Sequence, residues 1–216
     1  MDLFIKKVTS LLLFVIPICV FSMSIKSDIS IKLINPKNNI KTGADNYAKY
    51  LPLLKEKKVG IVTNQTGILS DNTHLVDFLL EKKIAIQTIF APEHGFRGTA
   101  DAGEHVVDGK DPKTGLPIIS LYGDNKKPKP AQLSNLDVLV FDLQDVGARF
   151  YTYISSLHYV MEACAEANIP ILILDRPNPN GHYIDGPILE MENKSFFDRE
   201  RKNVMQKSKI VYRYCH

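Results

Sequence analysis

Cysteine is scarce. Three residues, Cys19, Cys164 and Cys215, are spread over 216 positions, so no disulfide framework holds this chain together. Neither a Cys-x-x-Cys nor a His-x-x-x-His spacing occurs, which removes the common metal-ligand signatures. No Gly-x-Gly-x-x-Gly and no Walker loop follows the first predicted strand, so a nucleotide is a poor candidate ligand. A Gly-x-Ser-x-Gly nucleophile elbow is missing too. The body of the chain carries no basic run interleaved with aromatics, and nucleic acid is not an expected partner. There is no internal repeat and no low-complexity tract. No cofactor is expected.

What remains is ordinary globular material. Hydrophobic residues make up 44% and charged residues 24%, which fits neither a disordered nor a fibrous chain. The net charge of +3 is local in origin. Asp198 to His216 holds most of the excess Lys and Arg, and the rest is close to neutral. At the start, Lys6 and Lys7 precede an apolar run from Val8 to Phe21, followed by Ser22 and Ser24. A charged start, a short apolar stretch and a small-residue exit predict a signal peptide over 1–24. The run falls short of the roughly 20 apolar residues of a membrane span. The expected location is therefore periplasmic or extracellular, with no membrane contact after cleavage. Cys164, inside a helical pattern, is expected to be a small core residue.

Residues 25–57 read as a leader, with a short helix between Asp45 and Lys57 interrupted near Pro52. Strands are then predicted at 58–64, 84–90, 117–122, 136–141 and 169–174. Helices are predicted at 74–83 and 153–167. Leu136 to Phe141 is almost continuously apolar, as a strand covered on both faces must be. Alternating strands and helices predict an α/β fold built from βαβ units around a parallel sheet.

Polar segments follow four of these strands: Thr63–Gly67, Ala91–Gly98, Asp142–Arg149 and Asp175–Gly181. In a parallel sheet they emerge at one edge, where open α/β sheets bind ligands. Glu93 is the leading candidate for a general acid. It sits just after an apolar strand in a Pro-Glu-His-Gly turn, and partial enclosure is what a proton-donating carboxyl needs near neutrality. His94 is an alternative acid/base or the group that orients Glu93. Arg97, Arg149 and Arg176 are candidates to grip a carboxylate through a guanidinium fork, or else to pair with Asp101, Asp142 or Asp145. Tyr151 and Tyr153 offer flat faces to a sugar or belong to the core. Asn64 and Asp142 either meet a ligand or cap helices. Asn178 lies in a stretch that equally suits a plain turn. Asp142, Asp145 and Asp175 are the acids that a hard cation would use, although no metal is expected.

Four motifs resemble the bacterial exo-β-N-acetylmuramidases of the NamZ type: VGIVTNQTG at Val59–Gly67, FAPEHGFRG at Phe90–Gly98, FDLQDVGARFYTY at Phe141–Tyr153 and LDRPNP at Leu174–Pro179. Asp185-Gly186-Pro187 fits as well. The resemblance runs from about Lys58 to Phe197. It implies a Rossmann-like N-terminal domain over 58–197, with flanking helices and a cleft shared with a C-terminal domain that has no counterpart in this sequence. It implies exo-acting release of N-acetylmuramic acid from non-reducing ends of peptidoglycan fragments, with Glu93 as acid/base. Muramyl sugars are the implied partner. Asp142 or Asp145 would supply a second carboxylate, and Asn64, Gln65, Arg97, Asp145, Arg149, Tyr151, Arg176 and Asn178 would contact the sugar. A non-catalytic muramyl-sugar or cell-wall binding domain is the alternative. The basic segment 198–216 departs from the family pattern, and is expected to be a divergent tail without packed elements, as a frameshift or truncation would leave.

Overall fold

Continuous apolar strands need cover on both faces, and the computed structural model provides it. It describes residues 41–98, 108–148, 150–182, 184–186 and 210–214. All belong to one unit, Asn38–His216. The expected signal segment, Arg149, Asp101, Cys19 and Cys215 lie outside the described residues. Among the described residues, no helix is long and apolar enough to cross a membrane.

The elements are α1 (Tyr47–Leu54), β1 (Lys58–Thr63), α2 (Leu75–Glu81), β2 (Ala85–Ala91), β3 (Gly109–Lys110) and β4 (Pro117–Ser120). They continue with α3 (Pro130–Leu133), β5 (Val138–Asp142), α4 (Tyr153–Ala167), β6 (Ile171–Leu174) and β7 (Ile210–Tyr214). The sheet order is β3-β4-β2-β1-β5-β6-β7. Every pairing is parallel except β3 with β4. The expected α/β class and parallel sheet are therefore observed. The two-residue β3 and the short α3 carry too little pattern to be read from sequence.

Alternation within the strands divides the core. Val138 and Val140 of β5 pack with Val59 and Ile61 of β1 and with Leu75, Val76 and Leu79 of α2. Leu139 and Phe141 pack on the other face with Val62, Phe90 and the α4 residues Val160, Ala163 and Cys164. Burial pushes the Cys164 thiol up to about 12, which fits an inert core residue.

Two expectations change. The helix near Pro52 is not interrupted there, because α1 runs through it to Leu54. Tyr50 and Leu54 are fully buried on either side of Pro52, and that packing outweighs the roughly 3 kcal/mol cost of an interior proline. The segment 198–216 also contributes an element. Ile210–Tyr214 pairs along the outer edge of β6, from Ile171 opposite Ile210 to Leu174 opposite Tyr214. The basic composition around it hid a short β-branched and aromatic run, and the unpaired edge of β6 supplies the partner.

His74 ties β1 to α2. Its Nδ1 accepts from the Val76 amide at 3.2 Å, so the ring proton resides on Nε2, which donates to the Asn64 carbonyl at 2.9 Å. The ring therefore folds as the neutral tautomer, and burial lowers its pKa. The unfolded chain takes up this proton near pH 6.5, before the folded chain does. Stability is thus full above that value and falls as pH drops through it. Urea unfolding between pH 8 and pH 5 should show this acid-side loss, and His74→Asn, which keeps a capping oxygen, should flatten it. Equal slopes for the two proteins would remove His74 as the cause.

Candidate active site

β1 is central, with β2 on one side and β5 on the other, so the chain reverses direction across the sheet between them. Loops after such strands diverge and leave a crevice at their carboxyl ends. A cleft of about 560 Å³ lies there. The loop after β1 contributes Gln65 and Thr66, that after β2 contributes Glu93, His94 and Gly98, and that after β5 contributes Gln144, Val146 and Phe150 to Tyr153.

Glu93 is half-buried at the centre of these loops. The turn that carries it closes with Gly95 N–H donating to Pro92 O at 3.0 Å. His94 and Gly95 both take left-handed φ, 70° and 75°. A histidine held this way bears local strain, a cost found most often at functional turns. Thr152 Oγ1 donates to Glu93 Oε2 at 3.2 Å. Thr152 precedes the first turn of α4 and makes no side-chain cap there. Its hydroxyl serves Glu93 instead. Tyr122, just past β4, lies near Glu93, and burial, then the charge of that carboxylate, pushes its hydroxyl pKa up.

The sequence-expected residues divide into two groups. Glu93, His94, Gln65, Tyr151 and Tyr153 line the cleft. The others among the described residues are engaged elsewhere. Asp142 is fully buried, and Arg176, with 5% of its side chain exposed, binds it through Nε to Oδ1 at 2.6 Å and Nη2 to Oδ2 at 3.0 Å. Burial pushes the Asp142 carboxyl up, and the guanidinium works against that rise. Neither member of this pair lines the cleft. Arg97 pairs with Asp111, through Nη2 to Oδ2 at 2.9 Å, and stacks over Phe96 with its guanidinium 4.3 Å from the ring centre. Burial works to raise the Asp111 carboxyl, but the bonds from Arg97 and Thr114 hold it low. Two of the three expected carboxylate grips are thus committed to ion pairs, and Arg149 lies outside the described residues.

Asp145 accepts from the Gly147 amide at 3.0 Å and does not line the cleft. Asn178 accepts from the Asn180 amide at 2.9 Å inside its own turn. The Asp175–Gly181 segment supports the site from below, with Pro177 O accepting from Gln144 Nε2 at 2.9 Å. Asn64 is buried and reaches the cleft through Tyr153, whose hydroxyl accepts from its Nδ2 at 2.9 Å. Among the described residues no three His, Cys, Asp or Glu side chains converge as a cation site would require.

Sequence reasoning did not single out Thr66, Gln144, Val146, Phe150 or Thr152 as lining residues, nor Tyr122 as a neighbour of Glu93. Position was the available signal, since each follows a strand at the same edge as Glu93. Phe150 is 76% exposed and Tyr151 39% exposed, and their rings lie 5.7 Å apart along the rim.

The family model described as "Exo-beta-N-acetylmuramidase NamZ, N-terminal" matches residues 59–207. A Bacillus subtilis (strain 168) protein named peptidoglycan beta-N-acetylmuramidase NamZ is 49% identical over 163 residues, covering 74% of this chain and 39% of that protein. Two solved structures of DUF1343 family proteins from Bacteroides fragilis NCTC 9343 superpose with TM-scores of 0.64 and 0.67. Their identities to this chain are 48% and 40%. Each match covers 74% of this chain and 41% of the other. The chain thus spans about two-fifths of the length of these relatives.

Proposed function

The chain belongs to the NamZ family of exo-β-N-acetylmuramidases, matching its N-terminal model, and from that premise we propose that its cleft binds N-acetylmuramic acid at the non-reducing end of peptidoglycan fragments and takes part in its hydrolytic release. The observation that carries this reading is the position of Glu93, which lines the cleft with its carboxylate held by the Thr152 hydroxyl. Glu93 gives its proton to the glycosidic oxygen as the bond to the anomeric carbon breaks. The attacking group is either water or the sugar's own acetamido oxygen. His94, held in a strained turn against the same space, shapes the position of Glu93. Gln65, Gln144 and Tyr151 contact the sugar. Export, supported by Lys6, Lys7 and the apolar run after them, sets the protein beside its substrate.

The test is incubation of the chain with the disaccharide N-acetylmuramyl-N-acetylglucosamine. Release of free N-acetylmuramic acid, followed by NMR so that the first-formed anomer is seen, supports hydrolysis and reports whether configuration is retained. Saturable binding of N-acetylmuramic acid without release identifies a binding module instead. Neither binding nor release sinks the reading.

A further inference from the structure

Four polar groups between β1, β5 and α4 form a chain with a forced direction. It begins at the Gln144 backbone N–H, which donates to Thr66 Oγ1 at 3.1 Å. A backbone amide can only donate, so the Thr66 hydroxyl accepts there and spends its own proton on Asn64 Oδ1, at 2.6 Å. The Thr66 amide also donates to Asn64 Oδ1, at 2.9 Å. That oxygen is therefore fixed as oxygen, and the Asn64 side chain has one orientation. Its Nδ2 must then face Tyr153 and donate to the phenol oxygen, at 2.9 Å. The Tyr153 oxygen accepts, so its proton points away from the chain. Among the described residues no group is seen to accept that proton.

Tyr153 lines the cleft next to Thr152, the residue that binds Glu93. We propose that the Tyr153 hydroxyl, aimed by this one-way chain, is the hydrogen-bond donor that the cleft presents to an oxygen flanking the anomeric carbon of an amino sugar. The inference rests on the functional reading above. Its chemistry follows from position. Glu93 works at the glycosidic bond, so a donor beside it meets the substituents nearest the anomeric carbon: the glycosidic oxygen itself or the acetamido oxygen on the adjacent carbon. The lactyl carboxylate lies one ring position further away. N-Acetylglucosamine has the same oxygens near its anomeric carbon and lacks the lactyl group. Hydrogen bonds in series polarise one another, so Thr66 and Asn64 act as positioning residues that strengthen the terminal donor. Burial, then the Glu93 charge, raises the Tyr153 pKa, which keeps the proton in place at working pH.

Tyr153→Phe removes the proton and keeps the ring in the α4 core cluster. Titration of the chain with N-acetylmuramic acid and with N-acetylglucosamine, by calorimetry or NMR, is the measurement. Tyr153→Phe should weaken both sugars by about threefold to tenfold, the net worth of one hydrogen bond. Thr66→Val should weaken binding in the parent chain and add nothing further in the Tyr153→Phe background. Affinities within twofold of the parent for Tyr153→Phe overturn the assignment. Loss confined to N-acetylmuramic acid overturns it as well, because the acceptor would then be the lactyl carboxylate. Full additivity of the two substitutions overturns the relay. Failure of the unmodified chain to bind either sugar overturns the functional reading, and this inference with it, an outcome distinct from equal binding by parent and variant. A near-UV circular dichroism spectrum matching the parent confirms that each variant is folded.

Discussion

Replacing Glu93 with glutamine should lower the release of N-acetylmuramic acid about 10²- to 10⁴-fold, the usual contribution of a positioned general acid. The substitution is nearly isosteric. Its side-chain carbonyl can still accept from Thr152 Oγ1, which lies 3.2 Å from Glu93 Oε2, so the loop after β2 keeps its anchor. The half-buried setting demands no new packing. What the amide lacks is an acidic proton for the leaving oxygen. Stability should therefore stay within about 0.5 kcal/mol of the parent, as for substitutions that disturb no core or cap. Turnover of N-acetylmuramyl-N-acetylglucosamine by the two proteins is the comparison, with urea unfolding as the control. Equal turnover would take Glu93 out of the mechanism.

Arg176→Met should lower stability by about 3–5 kcal/mol, the cost of leaving one member of a buried ion pair without its partner. Asp142 has no exposure, and both its oxygens are bound by Arg176. The same guanidinium donates to the Ile68 carbonyl at 2.9 Å, so a second acceptor loses its donor. Native domains hold only about 5–15 kcal/mol in total, so the variant should unfold at much lower urea. The sign of the pH effect follows from the carboxyl. Burial without the guanidinium raises the folded Asp142 pKa above its unfolded value of about 3.9, so the neutral acid is the favoured folded form. The deficit should be greatest at neutral pH and shrink as pH falls. Asp142→Leu combined with Arg176→Met should recover most of the loss, because an apolar pair leaves no charge without a partner. A single variant as stable as the parent would show that the pair contributes nothing.

The α/β class was legible because the pattern is local. Lys58 to Thr63 and Leu136 to Phe141 are apolar on both alternations, and helix α4 begins and ends at the expected Tyr153 and Ala167. The place of Glu93 in the cleft was legible because a turn rich in Pro, His and Gly after an apolar strand is a short-range signal. β7 was not, since a five-residue strand has no meaning until the edge of β6 is there to receive it.

The site itself divides along the same line. The sequence by itself determined that polar side chains gather at the carboxyl ends of buried parallel strands, because strand direction and loop position follow from local alternation. Only the tertiary structure decided which of them face a ligand. Asp142 and Arg176 stand 34 residues apart, Arg97 and Asp111 stand 14 apart, and Asn64 and Tyr153 stand 89 apart. Each pair meets through sheet order. A buried charge must find its counter-charge wherever the fold brings one, so Arg176 was drawn to Asp142, one of the alternative partners the sequence offered, and Arg97 to Asp111, which the sequence did not single out. The direction of the hydrogen bond that Tyr153 accepts from Asn64 was likewise set by groups on two other loops.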